Sequence, residues 1–356
     1  MKVIKIDKKE WTGGIDKSRE KYLLFGPVKD KDVTNKEHYI FKKLAAGEFP
    51  VMEGVDTVLS PKSVIFPQTE KILKSSLDQS QPDHHIMKRV ENDYSSRAVI
   101  GIRSFDAKAL TLVNLNFDTK DYQDPYWCDA YKATTFVGLA VNKPSDVDFS
   151  TSMGSGPFGE EGLDVLLVDN GEEFLAKVIT DKGKTFLDAA GFNKTADESA
   201  VKKIEDLKAQ AEKTIADKAK VGTDNLKNKT VLDLYEAPFW DDIAFSCINC
   251  GTCTFVCPTC WCFDIQDETK GKSCTRFKNW DSCMFPLFTL HGSGHNPRGV
   301  KTQRVRQRFM HKLKYFLDKY DKGTMCVGCG RCVQSCPVNI DIREVCNIMN
   351  NYEPKK

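Results

Sequence analysis

Hydrophobic residues fall into short runs along the first 190 positions of the chain. Runs rich in Val, Ile, Leu or Phe predict strands at Lys21–Val28, Ser63–Phe66, Ala98–Ile102, Thr135–Val141, Leu163–Val168 and Phe174–Thr180. The last two runs flank Asp169-Asn170-Gly171, and an Asn-Gly pair favours a tight antiparallel turn. The segment Asp106–Leu115 has the apolar spacing of a helix. This part of the chain is therefore predicted to be mixed α/β.

The following segment, residues 193–235, is rich in Lys, Glu, Ala and Asp. Its apolar side chains keep one narrow stripe at helical spacing, formed by Val201, Ile204, Leu207, Ala211 and Ile215. We expect a helical insert with a solvated face, followed by a linker to the rest of the chain.

Cysteine separates the remainder of the chain from these two parts. The chain has 14 cysteines, and all except Cys128 lie between Cys247 and Cys346. A secreted domain with this density would use disulfides, but the first residues lack the hydrophobic region of a signal peptide. Closely spaced thiols in a reducing compartment are more typical of metal ligands.

Most of these cysteines belong to one motif that occurs twice. Cys-x2-Cys-x2-Cys-x3-Cys-Pro is present at 247–258 and again at 326–337. In bacterial ferredoxins three thiolates of such a run bind one [4Fe-4S] cluster, and the fourth binds the other cluster. Zinc sites usually use separated pairs of ligands, so zinc is the weaker interpretation. We predict a first cluster held by Cys247, Cys250, Cys253 and Cys336, and a second held by Cys326, Cys329, Cys332 and Cys257.

Prolines and glycines within these runs also suit the motif. Pro258 and Pro337 are suited to starting a helix that leads the fourth thiolate away. Gly251, Gly328 and Gly330 remove side chains where the backbone is expected to approach a cluster closely. Each run is therefore expected to be a curled loop followed by a helix.

Basic residues are in excess in the cysteine-rich part. Residues 236–356 contain 17 Lys and Arg against 12 Asp and Glu, and a cluster with four thiolates carries about two negative charges. Between Arg298 and Lys314 basic and apolar residues recur at helical spacing, which predicts an amphipathic helix. We expect this helix to compensate buried negative charge rather than to bind nucleic acid.

The overall composition narrows the class of protein further. The chain has 356 residues, of which 40% are hydrophobic and 29% charged, with a net charge of +2. These values are typical of a soluble globular protein. The net charge is too small to create a positive electrostatic field that would attract nucleic acid. No stretch of 18 apolar residues predicts a membrane span. We expect a cytoplasmic protein without membrane insertion and without a nucleic-acid partner.

These patterns divide the chain into three expected units. Residues 1–192 form the mixed α/β domain, and residues 193–235 form the Lys/Glu-rich helical insert and linker. Residues 236–356 form a C-terminal helical domain with a bacterial-ferredoxin-like double [4Fe-4S] module. The predicted fold class is therefore α+β.

Several segments resemble a known family. They are Cys257-Pro-Thr-Cys-Trp-Cys-Phe-Asp264, Trp280-Asp-Ser-Cys-Met-Phe-Pro286, His291-Gly-Ser-Gly-His-Asn-Pro-Arg298 and Met325-Cys-Val-Gly-Cys-Gly-Arg-Cys332. The chain resembles the β subunit of cytoplasmic sulfhydrogenases and the A subunit of anaerobic sulfite reductase, also at Ser60–Glu70, Gly101–Ala107 and Thr151–Gly154.

The resemblance implies an electron-transfer subunit without catalytic residues of its own. Such a subunit relays single electrons between a flavin and NAD(P)-binding subunit and a catalytic, metal-containing subunit in an anaerobic oxidoreductase complex. The catalytic subunit would be of the hydrogenase or the sulfite reductase type.

The chain departs from this family at four positions. Relatives usually carry cysteine where this sequence has Phe105, Val141, Asp148 and Ser150. Four cysteines there would suit an additional cluster, whereas one carboxylate and one hydroxyl cannot replace them. We therefore expect an N-terminal domain that binds no metal and docks partners.

Once both clusters are filled, Cys260, Cys262, Cys274 and Cys283 remain. They could hold a third metal site, or some of them could pack as small apolar residues. A third site is the basis of one alternative function, a redox enzyme in its own right. Another alternative is an iron–sulfur protein for interaction or redox sensing. Cys346 is expected in a helix core, and Cys128 is expected to be inert.

Overall fold

A computed structural model describes residues 2–53, 56–218 and 220–354. Its strands are β1 Val3–Asp7, β2 Leu23–Lys31, β3 Glu37–Lys43, β4 Thr69–Ser76, β5 Lys88–Arg89, β6 Arg97–Ile102, β7 Thr134–Leu139, β8 Val165–Asp169, β9 Glu173–Val178, β10 Phe263–Lys270 and β11 Ser273–Trp280. Its α-helices are α1 Lys8–Ser18, α2 Ser104–Phe117, α3 Pro125–Ala133, α4 Asp181–Ala189, α5 Glu198–Lys218, α6 Val231–Tyr235, α7 Phe239–Phe245, α8 Thr252–Phe255, α9 Lys301–Met310, α10 Phe316–Tyr320, α11 Arg331–Gln334 and α12 Ile342–Asn351.

The N-terminal part is built on a mixed sheet in the order β1-β9-β8-β7-β6-β2-β3. The pairs β2–β6, β6–β7 and β7–β8 are parallel, and the outer pairs are antiparallel. Alternate residues of β6 enter two different cores, because Val99 packs toward α2 and α3 whereas Ala98 and Ile100 pack toward α1 and α4. Strands that are buried on both faces have continuous hydrophobic sequences, and for this reason the central strands can be predicted from the sequence.

The predicted strands in this part are confirmed, with one exception. The turn at Gly171 (φ 92°) joins β8 and β9 as an antiparallel hairpin, as Asn-Gly predicts. The strand predicted at Ser63–Phe66 is wrong. Pro61–Val64 is a short 3-10 helix, and the hydroxyl of Ser60 caps it by accepting a hydrogen bond from the backbone N–H of Lys62. The cap and the fixed φ of proline outweigh the β propensity of the apolar residues.

The predicted helical insert and basic helix are both present. The insert is α5, whose buried residues Ile204, Ala211 and Ile215 follow the predicted apolar stripe. The basic helix begins as α9, passes through a π-helical turn at His311–Tyr315 and continues as α10. The α+β fold class is thus confirmed. Among the helices that the structure describes, none is both long and apolar enough to span a membrane.

The second sheet was not predicted, and it joins distant parts of the chain. Its order is β10-β11-β4-β5, so a hairpin of the cysteine-rich part pairs with a strand of the N-terminal part. A helix was expected directly after Pro258, but the chain leads into β10 instead. After Pro337 a helix does follow, and α12 begins where the carboxylate of Asp341 accepts a hydrogen bond from the backbone N–H of Arg343.

Candidate metal centres

Each cysteine run folds as a tight loop that ends in one helical turn. The first run contains α8 and the second contains α11, and a glycine with positive φ precedes each turn: Gly251 (φ 75°) and Gly330 (φ 71°). Glycine adopts this conformation without strain because it has no Cβ. The same spacing therefore produces the same local geometry twice.

The first cavity lies between the first run, α9 and the end of the second run. Its apolar wall includes Met284, Val305, Phe309 and Ile340. Four cysteines also line it: Cys247, Cys250, Cys253 and Cys336. The structure thus places the fourth cysteine of the second run beside the first three of the first run.

A second cavity shows the reverse arrangement. It is lined by Phe149 of the N-terminal part, by Lys312 of the π-helical turn and by Ile342 of α12. Its cysteines are Cys257, Cys326, Cys329 and Cys332. The fourth cysteine of the first run therefore lies beside the first three of the second run.

These donor sets have the chemistry of an iron–sulfur site. Within the described ranges of the chain, no group of three or more His, Cys, Asp or Glu side chains is arranged to hold a single metal ion. Each cavity instead offers four cysteines, the ligand number of a [4Fe-4S] cluster. Burial raises the pKa of Cys253, Cys329 and Cys332, so these thiols need nearby positive charge to ionise. Bound iron would supply that charge.

Arg308 of α9 lies beside both sets of cysteines. It is only 5% exposed, and the cysteines that influence it most when ionised are Cys253 of the first set and Cys332 of the second. Burial works against the charged form, but the two thiolates outweigh it and raise the pKa of Arg308 above its ordinary value. The guanidinium therefore stays charged between the two cavities.

Lys312 follows one helical turn later and faces the second cavity. Its ammonium is 2% exposed and donates a hydrogen bond to the hydroxyl of Thr259 at 2.9 Å. Burial lowers its pKa, but the thiolates of Cys257 and Cys260 more than offset this, and the pKa of Lys312 is raised. The buried basic side chains Arg308 and Lys312 of this helix thus lie close to the cysteines.

A third buried cation comes from the N-terminal part and was not predicted. Lys62, 2% exposed, donates hydrogen bonds to the backbone carbonyls of Cys257 at 3.2 Å and Cys260 at 2.6 Å. Its ammonium also lies 3.9 Å from the ring centroid of Trp280. The only sequence signal for it is its place in the segment Ser60–Glu70, which resembles the related family.

The glycines of the second run make room for a loop of the N-terminal part. A Cβ at Gly328 would lie 2.5 Å from the Cα of Ser150, and one at Gly330 would lie 2.3 Å from the carbonyl oxygen of Val147. The backbone N–H of Phe149 donates to the carbonyl of Gly328 at 2.9 Å. At these two glycines the structure shows close approach of protein backbone, and the expected approach to a cluster stays a prediction.

The four positions at which the sequence is expected to depart from the related family are all buried. Phe105 packs with Met325 and Val327, and the others are the buried side chains of Val141, Asp148 and Ser150. Burial raises the pKa of Asp148. Buried apolar side chains thus occupy two of these four positions, and buried polar side chains occupy the other two.

A buried ion pair fastens the second run to the N-terminal part. The guanidinium of Arg331 donates to both carboxylate oxygens of Asp106, at 2.5 and 2.7 Å, and to the carbonyl of Thr57 at 3.0 Å. Arg331 and Asp106 are both buried. The residue that follows Gly330 within the cysteine run thus anchors the loop to the N-terminal part.

The cysteines outside the two cavities do not form the predicted third site. Cys260 contacts Cys257, and Cys262 contacts Cys283. Cys274 is paired with Thr269 at the turn of the β10–β11 hairpin, whereas Cys262 precedes the other end of that hairpin. Six residues of strand separate the two ends by about 20 Å. A single metal site that uses all four of Cys260, Cys262, Cys274 and Cys283, one of the possibilities that the sequence left open, does not fit this geometry, because the hairpin carries Cys274 away.

The two isolated cysteines lie in hydrophobic cores. Cys346 is buried in α12 beside Val345 and Met349, and burial raises its pKa to about 12. Cys128 is buried in α3, and burial raises its pKa as well. Both therefore remain protonated thiols near neutral pH.

Comparisons with known proteins bear on the same residues. Residues 246–340 match the family described as the 4Fe-4S dicluster domain. Over 347 residues the chain is 26% identical to the sulfhydrogenase 2 subunit beta of Pyrococcus furiosus, and the alignment covers 96% of each protein. The chain thus resembles a sulfhydrogenase β subunit along almost its whole length, with a 4Fe-4S dicluster domain in its cysteine-rich part.

Proposed function

We propose that the chain is the iron–sulfur electron-transfer subunit of an oxidoreductase complex. The observation that carries the proposal is the pair of cavities, each lined by three cysteines of one run and the fourth cysteine of the other. The match to a 4Fe-4S dicluster domain supports it. When bound, a [4Fe-4S] cluster supplies one-electron redox chemistry.

The proposal includes two clusters and assigns a ligand set to each. The first set is Cys247, Cys250, Cys253 and Cys336, and the second set is Cys326, Cys329, Cys332 and Cys257. The protein's own part is to hold the eight sulfurs, to exclude water with apolar walls and to keep Arg308 and Lys312 charged beside them.

The proposed partners are a flavin and NAD(P)-binding subunit and a catalytic subunit of the hydrogenase or sulfite reductase type. The similarity to a sulfhydrogenase subunit supports an assembly of several chains. Next to Cys250, which is exposed, the side chains of Phe245 and Ile248 are 85% and 62% exposed. Exposed apolar residues beside a redox site favour contact with another protein. We propose that one electron-exchanging partner docks on this face.

The remaining parts of the proposal concern the cellular location of the complex and the role of each part of the chain. We propose a cytoplasmic, anaerobic complex, in which residues 1–192 form a metal-free domain that docks partners. Residues 193–235 would be an insert, and residues 236–356 would carry the clusters. The buried Phe105 and Val141 at positions where relatives carry cysteine support a metal-free N-terminal domain.

Metal content and the crossing of ligands test the proposal. The anaerobically reconstituted chain should contain about eight iron and eight sulfide per molecule. Cys257→Ala should change the electron paramagnetic resonance signal of the same cluster that Cys329→Ala changes, whereas Cys336→Ala should act like Cys250→Ala. Cys128→Ala is the control, because its thiol lies in the core of the N-terminal part.

Other outcomes would contradict the proposal. About four iron per chain, or stoichiometric zinc, would exclude two clusters. If Cys257→Ala and Cys250→Ala changed the same signal, the ligand sets would not cross. Copurification tests the two proposed partner subunits. A tagged chain should copurify with one protein that contains flavin and one that contains a catalytic metal.

A further inference from the structure

Two cysteines outside both cavities meet at the open end of the β10–β11 hairpin. Cys262 immediately precedes β10, and Cys283 follows β11 by three residues. The last strand pair, Phe263 with Trp280, brings the two segments together. The backbone N–H of Asp281 donates to the carbonyl of Cys262 at 3.0 Å and extends the pairing beyond the strands. The hairpin therefore fixes the distance between these two thiols.

The strand pairing brings the two thiols close enough to interact. Their interaction lowers the pKa of Cys262 to about 7 and raises that of Cys283. Cys283 is buried, while Cys262 is half-buried and accessible to solvent. One partner is thus a ready thiolate and the other a protonated thiol, the arrangement that thiol–disulfide chemistry uses.

The pair lies next to the second set of cysteines. Cys260 contacts the sulfur of Cys257, a proposed ligand of the second cluster, and lies close to both Cys262 and Cys283. Lys62 and Lys312 add positive charge to the same buried region. Cys260 therefore lies between the hairpin thiols and the second set of cysteines.

We propose that Cys262 and Cys283 form a redox-active dithiol that exchanges two electrons with the two clusters, an inference that rests on the proposed function. On oxidation the Sγ atoms of Cys262 and Cys283 join in a disulfide. The proton of the Cys283 thiol, and that of Cys262 in the fraction of molecules where it is still protonated, leave to solvent at Cys262. The two electrons reduce the two bound clusters, one electron each, and the reverse reaction restores the dithiol. The pair would store two electrons beside two one-electron carriers.

The number of electrons that the protein accepts tests this inference. The reconstituted full-length chain is oxidised with a mild dye and then reduced by coulometric titration. We expect about four electrons per chain for the wild type, two for the clusters and two for the disulfide. Cys283→Ser should accept about two. Cys274→Ser is the matched control and should still accept about four, because Cys274 lies at the far end of the same hairpin.

A second measurement keeps the test independent of how well the variants fold. Differential alkylation of the wild type, followed by mass spectrometry, should find Cys262 and Cys283 joined in the oxidised protein and separately labelled in the reduced protein. Two electrons in the wild type, with both thiols labelled in each state, would overturn the inference.

Iron content separates this inference from the proposed function. About eight iron per chain with only two electrons would leave the function standing and overturn the dithiol. About twelve iron, reduced to about eight by Cys262→Ser, would mean that these thiols bind metal and would also overturn it. About four iron in the wild type would contradict the proposed function itself.

Discussion

A buried cation beside a redox centre affects its reduction potential. Arg308 is charged and interacts electrostatically with cysteines of both sets, and each electron added to a bound cluster increases the local negative charge. We expect Arg308→Gln to lower the reduction potential of both clusters, because it removes roughly 2 kcal/mol of electrostatic attraction, or about 90 mV for one electron. Potentiometric titration followed by electron paramagnetic resonance measures the shift.

Arg306 is the matched control for that substitution. It lies on the same helix, but its guanidinium packs 3.5 Å from the ring centroid of Tyr235 and donates to the carbonyl of the same residue. Arg306→Gln should leave both potentials unchanged. Equal shifts in the two variants would mean that the local position of Arg308 has no special effect.

His311, in the π-helical turn, gives the protein a defined sensitivity to acid. Burial, and to a smaller extent the charges of Lys312, Arg298 and Lys319, lower its pKa from 6.5 to about 4. The unfolded chain therefore binds a proton between pH 6.5 and 4 that the folded chain does not, so stability is lost as the pH falls through this window. Between pH 7 and 5 the loss is about 2 kcal/mol.

His311→Gln should therefore flatten the dependence of stability on pH. The fall in melting temperature between pH 7 and 5 should be smaller in this variant than in the wild type. Because the substitution also removes a ring contact with Trp261, the slope and not the absolute melting temperature is the relevant result. His291→Gln, at an exposed histidine, should keep the slope of the wild type, and an unchanged slope in His311→Gln would contradict the assignment.

At the scale of elements, the contact between the second run and the 147–150 loop allows no added side chain. Gly328→Ala should lower stability by more than about 3 kcal/mol, because the new Cβ meets backbone and the residue has a positive φ. Gly271→Ala is the control: Gly271 also has a positive φ, but nothing lies within 4 Å of its Cβ position. It should cost about 1 kcal/mol. Similar losses of melting temperature in both variants would show that the clash is relieved.

The elements also show what the sequence can and cannot predict. The buried strands and the crossed cysteine sets follow from local signals, namely continuous apolar runs and a spacing that fixes loop geometry. The hairpin β10–β11 has no such signal, because nearly every residue of β10 is exposed and its sequence is polar. Strand β4, which pairs with β11 of this hairpin, lies almost 200 residues earlier in the chain. Lys62 was missed for the same reason, since its role depends on that long-range pairing.

At the scale of the whole molecule, the ion pair Arg331–Asp106 joins the two main parts of the chain. Asp106→Asn should lower stability by about 3–5 kcal/mol, because it leaves a buried guanidinium without its counter-charge. Loss of the pair should also loosen the second run and reduce cluster content. Melting temperature and iron analysis of the same preparation measure both effects.

A second Arg–Asp pair of similar geometry serves as the control. Arg276 donates two hydrogen bonds of 2.7 Å to Asp267, but this pair lies on the exposed hairpin. Asp267→Asn should therefore change the melting temperature little, since solvent screens exposed pairs. If both variants were equally stable, the buried pair would not hold the two parts together.

The crossed lining of the cavities also has a consequence for the time course of synthesis. Each cavity takes sulfurs from both runs, and a ribosome releases the run at 247–257 well before the run at 326–336. Neither cavity can have its four sulfurs until translation has reached the second run, so under the proposed ligand sets neither cluster could be completed before the chain is almost finished. A premature stop codon anywhere between the runs removes Cys336 and leaves the first cavity incomplete, although the first run itself is intact.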